Sequence, residues 1–268
     1  MGFTFSVLID FLKIKVVNPL IVQYFRKHSL LYYHSNLDVL LSDRETIASK
    51  EVKQYKSILF EFEYDILYIK FKPHYFYNDN EHNANDFSVI SCIEVLLKFK
   101  QLFEVDFSQL DIINIEFGVN LVLSKDLICV KELLLNLIYH GKNEFYTDRK
   151  YPFCRFSNSI RVNGSTNVYK IIKCYAKGLQ FPQFTDLNTF RFEVKSNRRN
   201  YIQSLGIFTL NDLTKSKTYD YLSEILVKEF DELLIIDEKA KPILTPVKLK
   251  NFNNKINPLY WRKLLMFG

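Results

Sequence analysis

Between residues 110 and 124 the chain reads LDIINIEFGVNLVLS. At the two-residue period of a strand, Ile113, Ile115, Phe117, Val119, Leu121 and Leu123 fall on one side, with Asn114, Glu116, Gly118 and Asn120 on the other. So long a strand with one unbroken apolar side predicts a sheet covered on one face and polar on the opposite one. The polar side carries a lone carboxylate among amides, and Gly118 leaves room beside Glu116 for another group to approach. A solvated face with an incidental glycine is the competing account.

The segments around this strand set the fold class. Residues 55–72, YKSILFEFEYDILYIKFK, alternate on both sides of Tyr64-Asp65 and predict a hairpin. A polar loop follows at 73–86, and Asp86 is placed to cap a helix in which Ile90, Ile93 and Leu97 line one side. After the long strand an apolar helix is expected over 126–140, with Gly141 as its C-terminal cap. The second half repeats the rhythm, with strands at 153–158, 167–175 and 189–195 and helices at 198–205, 209–214 and 218–234. A basic extended stretch leads to NPLYWRKLLMFG, which starts like a helix with Pro258 in its first turn. Together these predict an α+β fold: an antiparallel sheet built from two hairpin–helix–strand units with helices packed on one face, plus a C-terminal helical segment. Residues 1–215 are expected to form the principal domain, and 216–268 a C-terminal helix and basic tail.

Composition narrows the partners. The chain of 268 residues carries a net charge of +6 at a pI near 8.9, which favours a polyanion. Cys92, Cys129, Cys154 and Cys174 form no paired-cysteine spacing and are expected to be reduced core thiols of a cytoplasmic protein. Asp10, Lys13 and Lys15 interrupt the apolar N-terminus, which is read as a strand and not as a signal or membrane anchor. There is no Walker A loop, no G-x-G-x-x-G and no G-x-S-x-G, so the common nucleotide-binding and hydrolase classes lose support. His74 and His82 share the polar loop and are expected at the surface.

Several residues remain as candidates for chemistry. Glu193, in TFRFEVKSN, repeats the theme of Glu116, and two carboxylates on one sheet face can hold Mg²⁺ or Mn²⁺. The competing account pairs Glu193 with Arg191 or Lys195 across strands. Tyr175 and Lys177 end the preceding strand, where a lysine can neutralise phosphate charge. Lys142, Arg149, Lys150, Arg155 and Arg161 interleave with Phe145, Tyr146 and Tyr151, a pattern suited to phosphates and stacked bases, or to a solvated loop. Arg191, Arg198 and Arg199 are further candidate phosphate contacts.

DIINIEFGVNL, YKIIKCYAKGLQ and TFRFEVKSN, in this order and spacing, resemble motif strands of the rolling-circle replication initiators of plasmids and single-stranded-DNA phages, the trans-type branch in particular. The preceding ILYIKFKPHYFYNDN resembles the hairpin and loop before the first motif, so the likeness covers roughly residues 55–215. It implies a metal-dependent endonuclease and strand transferase whose tyrosine attacks origin DNA, forms a 5′-phosphotyrosyl bond and frees a 3′-OH. By position, the resemblance makes Glu116 and Glu193 acidic ligands of Mg²⁺ or Mn²⁺ with Asn120 in support, Lys177 the strand-end lysine, Tyr175 its aromatic neighbour and Tyr201 the nucleophile. Single-stranded or origin DNA and host replication proteins are the implied partners, with no membrane. The chain lacks the His-hydrophobe-His pair, has Ala176 where Asp is common, and has Asn114 and Glu116 where Arg and Asp are usual.

Overall fold

A computed structural model of the chain describes residues 7–34, 50–126, 128–158, 167–236 and 245–255. The fold is α+β with antiparallel strand pairing, and it divides into two compact units. Unit 1 comprises Met1–Val119 and Glu193–Glu224, and unit 2 comprises Asn120–Phe192 and Ile225–Gly268.

In unit 1, β1 (Leu8–Val16) lies between β6 (Asp111–Val122) and β5 (Ile66–Phe71), antiparallel to both. Strands β4 (Ile58–Glu63), β3 (Lys50–Tyr55) and β2 (Tyr32–Tyr33) extend the sheet beyond β5, and β11 (Thr189–Ser196) lies beyond β6. The expected 55–72 hairpin is β4 and β5, turning at Tyr64, whose φ is +53°. Helices α1 (Pro19–Lys27) and α3 (Val89–Phe103) cover one face, where Phe25 and Phe103 meet Phe60, and Phe99 meets Phe71. The short helix α2 (Pro73–Tyr77) precedes α3.

Four expectations for unit 1 change. The α3 cap is Ser88, which accepts from the Ser91 amide, and not Asp86. Phe87 is drawn into the core to stack on His74 at 4.5 Å, which carries the extended backbone one step further before the helix can start. The buried stripe of α3 is Cys92, Val95, Leu96, Phe99 and Phe103, while Ile90 is 69% and Leu97 41% exposed. Both stripes have apolar spacing, and the one with two phenylalanines removes more surface from water. On β6, Asn114 pairs with Lys13 and Ile112 with Ile14, so Ile113 is the extra residue of a bulge and Ile112 takes its core position. His74 and His82 are buried, contrary to the surface expectation; His74 Nε2 lies 2.9 Å from Asn85 Oδ1.

Unit 2 contains β12 (Leu233–Ile235), β7 (Leu137–His140), β8 (Asn143–Thr147), β9 (Cys154–Ser157) and β10 (Ile171–Ala176), in that lateral order. Next to β10 come the parts of β11 and β6 that belong to this unit. The helix expected over 126–140 is only α4 (Val130–Asn136); Leu137 and Tyr139 then alternate inward as a strand. Gly141, at φ +52°, turns the β7–β8 hairpin and does not cap a helix; both uses need the same left-handed backbone. Helix α5 (Lys177–Gln180) follows β10 directly.

After β11 come α6 (Arg199–Ser204), a 3-10 turn at Leu210–Thr214 and α7 (Ser216–Asp231). Part of the tail expected to be extended forms α8 (Pro246–Lys255); the helix start at 257–268 lies outside the described residues. Cys92, Cys154 and Cys174 are buried free thiols, whereas Cys129 is exposed, where a core position was expected. No helix among the described residues is long and apolar enough to cross a membrane.

One packed ion cluster in unit 2 sets a pH dependence. Glu229 of α7 sits 2.9 Å from His140 Nε2 and 2.8 Å from Lys170 Nζ. Burial raises its pKa, but the hydrogen bonds and charges of His140 and Lys170 outweigh that and hold it below the usual value. A depressed carboxylate stabilises the fold above its unfolded pKa, near 4.5, and the contribution is lost as pH falls through the folded pKa. Glu229→Gln is therefore expected to lower stability at pH 7 and to flatten the loss of melting temperature below about pH 4.5. Paired melts of wild type and variant at pH 7 and pH 3.5 check it; parallel losses in both would remove Glu229 as the cause.

Candidate functional site

The sheet face of unit 1 that lies away from α1 and α3 is polar. The β1–β5 and β1–β6 registers place Phe11, Lys13 and Lys15 of β1 there with Tyr68 and Lys70 of β5 and Asn114 and Glu116 of β6. Glu116, expected as a metal ligand, accepts from Lys195 Nζ of β11 at 2.6 Å, with side chains 15% and 28% exposed. Lys195, one of the two partners anticipated for Glu193, is thus paired with Glu116. Glu193, two residues before Lys195 on β11, is itself buried at 1% exposure. Asp111 pairs with Arg199 at 2.8 Å, and Glu61 with Lys70.

Tyr201 lies in the first turn of α6 and is buried at 7% exposure. Its neighbours Arg198 and Arg199 are exposed. Arg198 is thus available to an external phosphate, and Arg199 is shared with Asp111.

In unit 2 the motif strands are lateral neighbours: β10 is beside β11, and β11 beside β6. Arg191 of β11 donates to Asn120 of β6 at 3.1 Å. Arg191 is fully buried, which corrects its assignment as a surface phosphate contact: a guanidinium with no exposed area cannot meet an external backbone without unpacking. Lys177, at 1% exposure, lies 5.3 Å from the Tyr175 ring centre and 4.8 Å from that of Phe181, and donates to Gln180 Oε1 at 3.3 Å. Lys177 and Tyr175 are therefore brought together, as a cation between two rings.

The basic and aromatic run at 140–161 mostly disperses. Arg149 and Lys150 are exposed in the turn that Asp148 caps through the Lys150 and Tyr151 amides. Arg155 is a structural pin: its guanidinium donates to the carbonyls of Leu134 at 2.9 Å, Leu135 at 3.4 Å and Phe145 at 3.1 Å. Phe145 is buried and cannot stack a base. Tyr151 donates to the Ala176 carbonyl at 2.8 Å; burial, and next the charge of Cys154, push its hydroxyl up to about 12, so it stays protonated. Arg161 lies outside the described residues.

Sequence reasoning passed over Lys13, Lys15 and Tyr68, although LKIKV in β1 alternates at period two as clearly as β6 does. Among the described residues no three His, Cys, Asp or Glu side chains converge as a metal-binding group.

No family model matches the chain, and no curated protein matches it either. One solved structure to which it is similar is described as a rolling circle replication initiator protein from Geobacillus stearothermophilus; the likeness covers 74% of this chain and 77% of that one, at 10% identity and a TM-score of 0.36.

Proposed function

We propose that this chain is a cytoplasmic replication initiator that nicks single-stranded origin DNA through a tyrosine. The observation that carries the reading is lateral order within unit 2, where the second motif on β10, the start of the third on β11 and the end of the first on β6 are neighbours. In the proposed reaction the Tyr201 oxygen bonds to phosphorus as its proton passes to solvent. The bond from phosphorus to the 3′-oxygen breaks, and that oxygen takes up a proton, leaving a 5′-phosphotyrosyl link and a free 3′-OH. Because Tyr201 is buried, the attack requires the first turn of α6 to open.

Glu116 and Glu193 would hold Mg²⁺ or Mn²⁺, with Asn120 in support. Carboxylate and amide oxygens suit a hard cation that keeps several waters, so the sparse donor set fits. Lys195 must release Glu116 when the cation enters. Bound there, the ion would polarise a phosphoryl oxygen. Lys177, buried against the Tyr175 and Phe181 rings, would supply positive charge to the substrate phosphate only once the end of β10 opens. Host replication proteins are the expected further partners.

The test is incubation with single-stranded oligonucleotides and Mg²⁺ or Mn²⁺, followed by denaturing gels. A covalent adduct is expected with wild type, none with Tyr201→Phe, and at least about 100-fold less with Glu116→Gln or Glu193→Gln. An adduct that survives Tyr201→Phe moves the nucleophile elsewhere, and no adduct under any metal overturns the enzyme. A second reading, DNA binding without cleavage, is favoured by the burial of Tyr201 and predicts oligonucleotide binding with no adduct.

A further inference from the structure

Two cations on the polar sheet face of unit 1 stand outside its ion pairs. Lys70 is paired with Glu61, Lys195 with Glu116 and Arg199 with Asp111. Lys13 and Lys15, on the strand between β5 and β6, form no ion pair among the described residues. Lys15 stands opposite Asp111 in the ladder, but that carboxylate goes to Arg199.

Lys13 is directly opposite Lys70 across the β1–β5 ladder. Like charges so placed destabilise a sheet unless each has a partner; Glu61 serves Lys70, which leaves Lys13 with an aromatic ring and no carboxylate. Aromatic rings interleave with these cations: Lys13 Nζ lies 4.5 Å over the Tyr68 ring, Lys15 is directly opposite Tyr68, and Phe11 is opposite Glu116. Phe11, Lys13, Lys15 and Tyr68 are all partly exposed. Lys13 and Lys15, two residues apart on a strand, are separated by about 7 Å along one line.

We infer that this face is a binding track for single-stranded DNA, on which Lys13 and Lys15 meet successive phosphates and Tyr68 and Phe11 stack bases on the way to Glu116. Its substrate class rests on the proposed function. A base that stacks on Tyr68 takes the place of the Lys13 ammonium, which then turns to the phosphate beside it. Stacking of this kind needs bases released from a duplex, which sets the preference for a single strand.

The test is fluorescence anisotropy of a labelled single-stranded 20-nucleotide probe across a salt series, in EDTA so that no cleavage interferes. Lys13→Glu with Lys15→Glu is expected to weaken binding at least tenfold. The neutral pair Lys13→Gln with Lys15→Gln should lower the slope of log affinity against log salt by about 1.4, two phosphate contacts' worth. Tyr68→Leu should weaken binding about tenfold with the slope retained, and a duplex of the same sequence should bind more weakly than the single strand. A neutral pair that binds with wild-type affinity and slope overturns the track, as does a duplex bound equally well or a wild-type protein that does not bind the probe. The glutamate pair tests charge, and the glutamine pair decides the matter if the former fails to fold. Intact binding with no adduct in Mg²⁺ sinks the nicking reading and leaves the track standing, whereas an adduct with unaltered binding by the lysine variants does the reverse.

Discussion

Phe103→Ala is expected to cost about 3–5 kcal/mol, a large part of the roughly 5–15 kcal/mol that holds a folded unit together. The ring sits at the last turn of α3 with no exposed surface, where five others meet it: Phe25 at 5.6 Å, His28 at 5.2 Å, Tyr55 at 5.6 Å, Phe60 at 5.3 Å and Phe99 at 4.7 Å. These rings come from α1, β3, β4 and α3 and the residue just past α1, so truncation leaves a cavity that no single element can close by moving. Ile90→Ala on the same helix should stay within about 0.5 kcal/mol, because that side chain is 69% exposed. Urea unfolding midpoints of the two variants measure the contrast. Equal shifts would show that α3 buries the stripe containing Ile90, Ile93 and Leu97 after all.

That contrast marks how far the sequence determines unit 1. Strands were legible because a period of two repeats without interruption in β4, β5 and β6, and because Tyr64-Asp65 breaks the pattern between β4 and β5. The phase of α3 was not legible, since apolar residues occur on both of its stripes and only the aromatic cluster across the sheet selects one. The bulge at Ile113 was equally hidden. It is set by the pairing of Lys13 with Asn114 and Ile14 with Ile112 on a strand distant in sequence, and local alternation cannot register it. In unit 2, LIYHGKNEFYT fits a helix ending at glycine or a hairpin turning on it, and the partner strand β12 favours the second.

The site was legible in its residue types more than in their surroundings. Period two placed Glu116 and Asn114 on a polar face, and the register bears that out. Burial could not be read from charge alone: Arg191 and Glu193 sit on the polar phase of β11, yet both are buried. Arg155 looked like a phosphate contact because nothing local shows that the last turn of α4 and the middle of β8 turn carbonyls toward it. Lys13 and Lys15 were visible as breaks in an apolar run, and their role appears only once β5 and β6 flank them.

Gly178→Ala is expected to be the most disruptive small substitution in unit 2, at about 3 kcal/mol or more. The reason is space and not backbone conformation. A Cβ there would lie 2.0 Å from the Asp186 carbonyl oxygen and 2.6 Å from the Leu187 carbonyl, and these are backbone atoms that no rotamer change removes. The 186–188 turn must move away, and it ends at Asn188, which ties three segments together. Asn188 Oδ1 accepts from the Val130 amide at 2.6 Å, and its Nδ2 donates to Leu123 at 2.9 Å and Ile128 at 3.0 Å. Asn188→Ala alone leaves the buried Val130 amide and two part-buried carbonyls without these bonds and should also cost about 3 kcal/mol. Since both changes release the same turn, the double variant should fall short of the sum by at least about 1 kcal/mol. Denaturant titration of the two single variants and the double gives that coupling directly. Strict additivity would mean that the contact at Gly178 does not act through Asn188. A wild-type melting temperature for Gly178→Ala would mean that α5, with Lys177 at its start, does not pack on the 186–188 turn in solution.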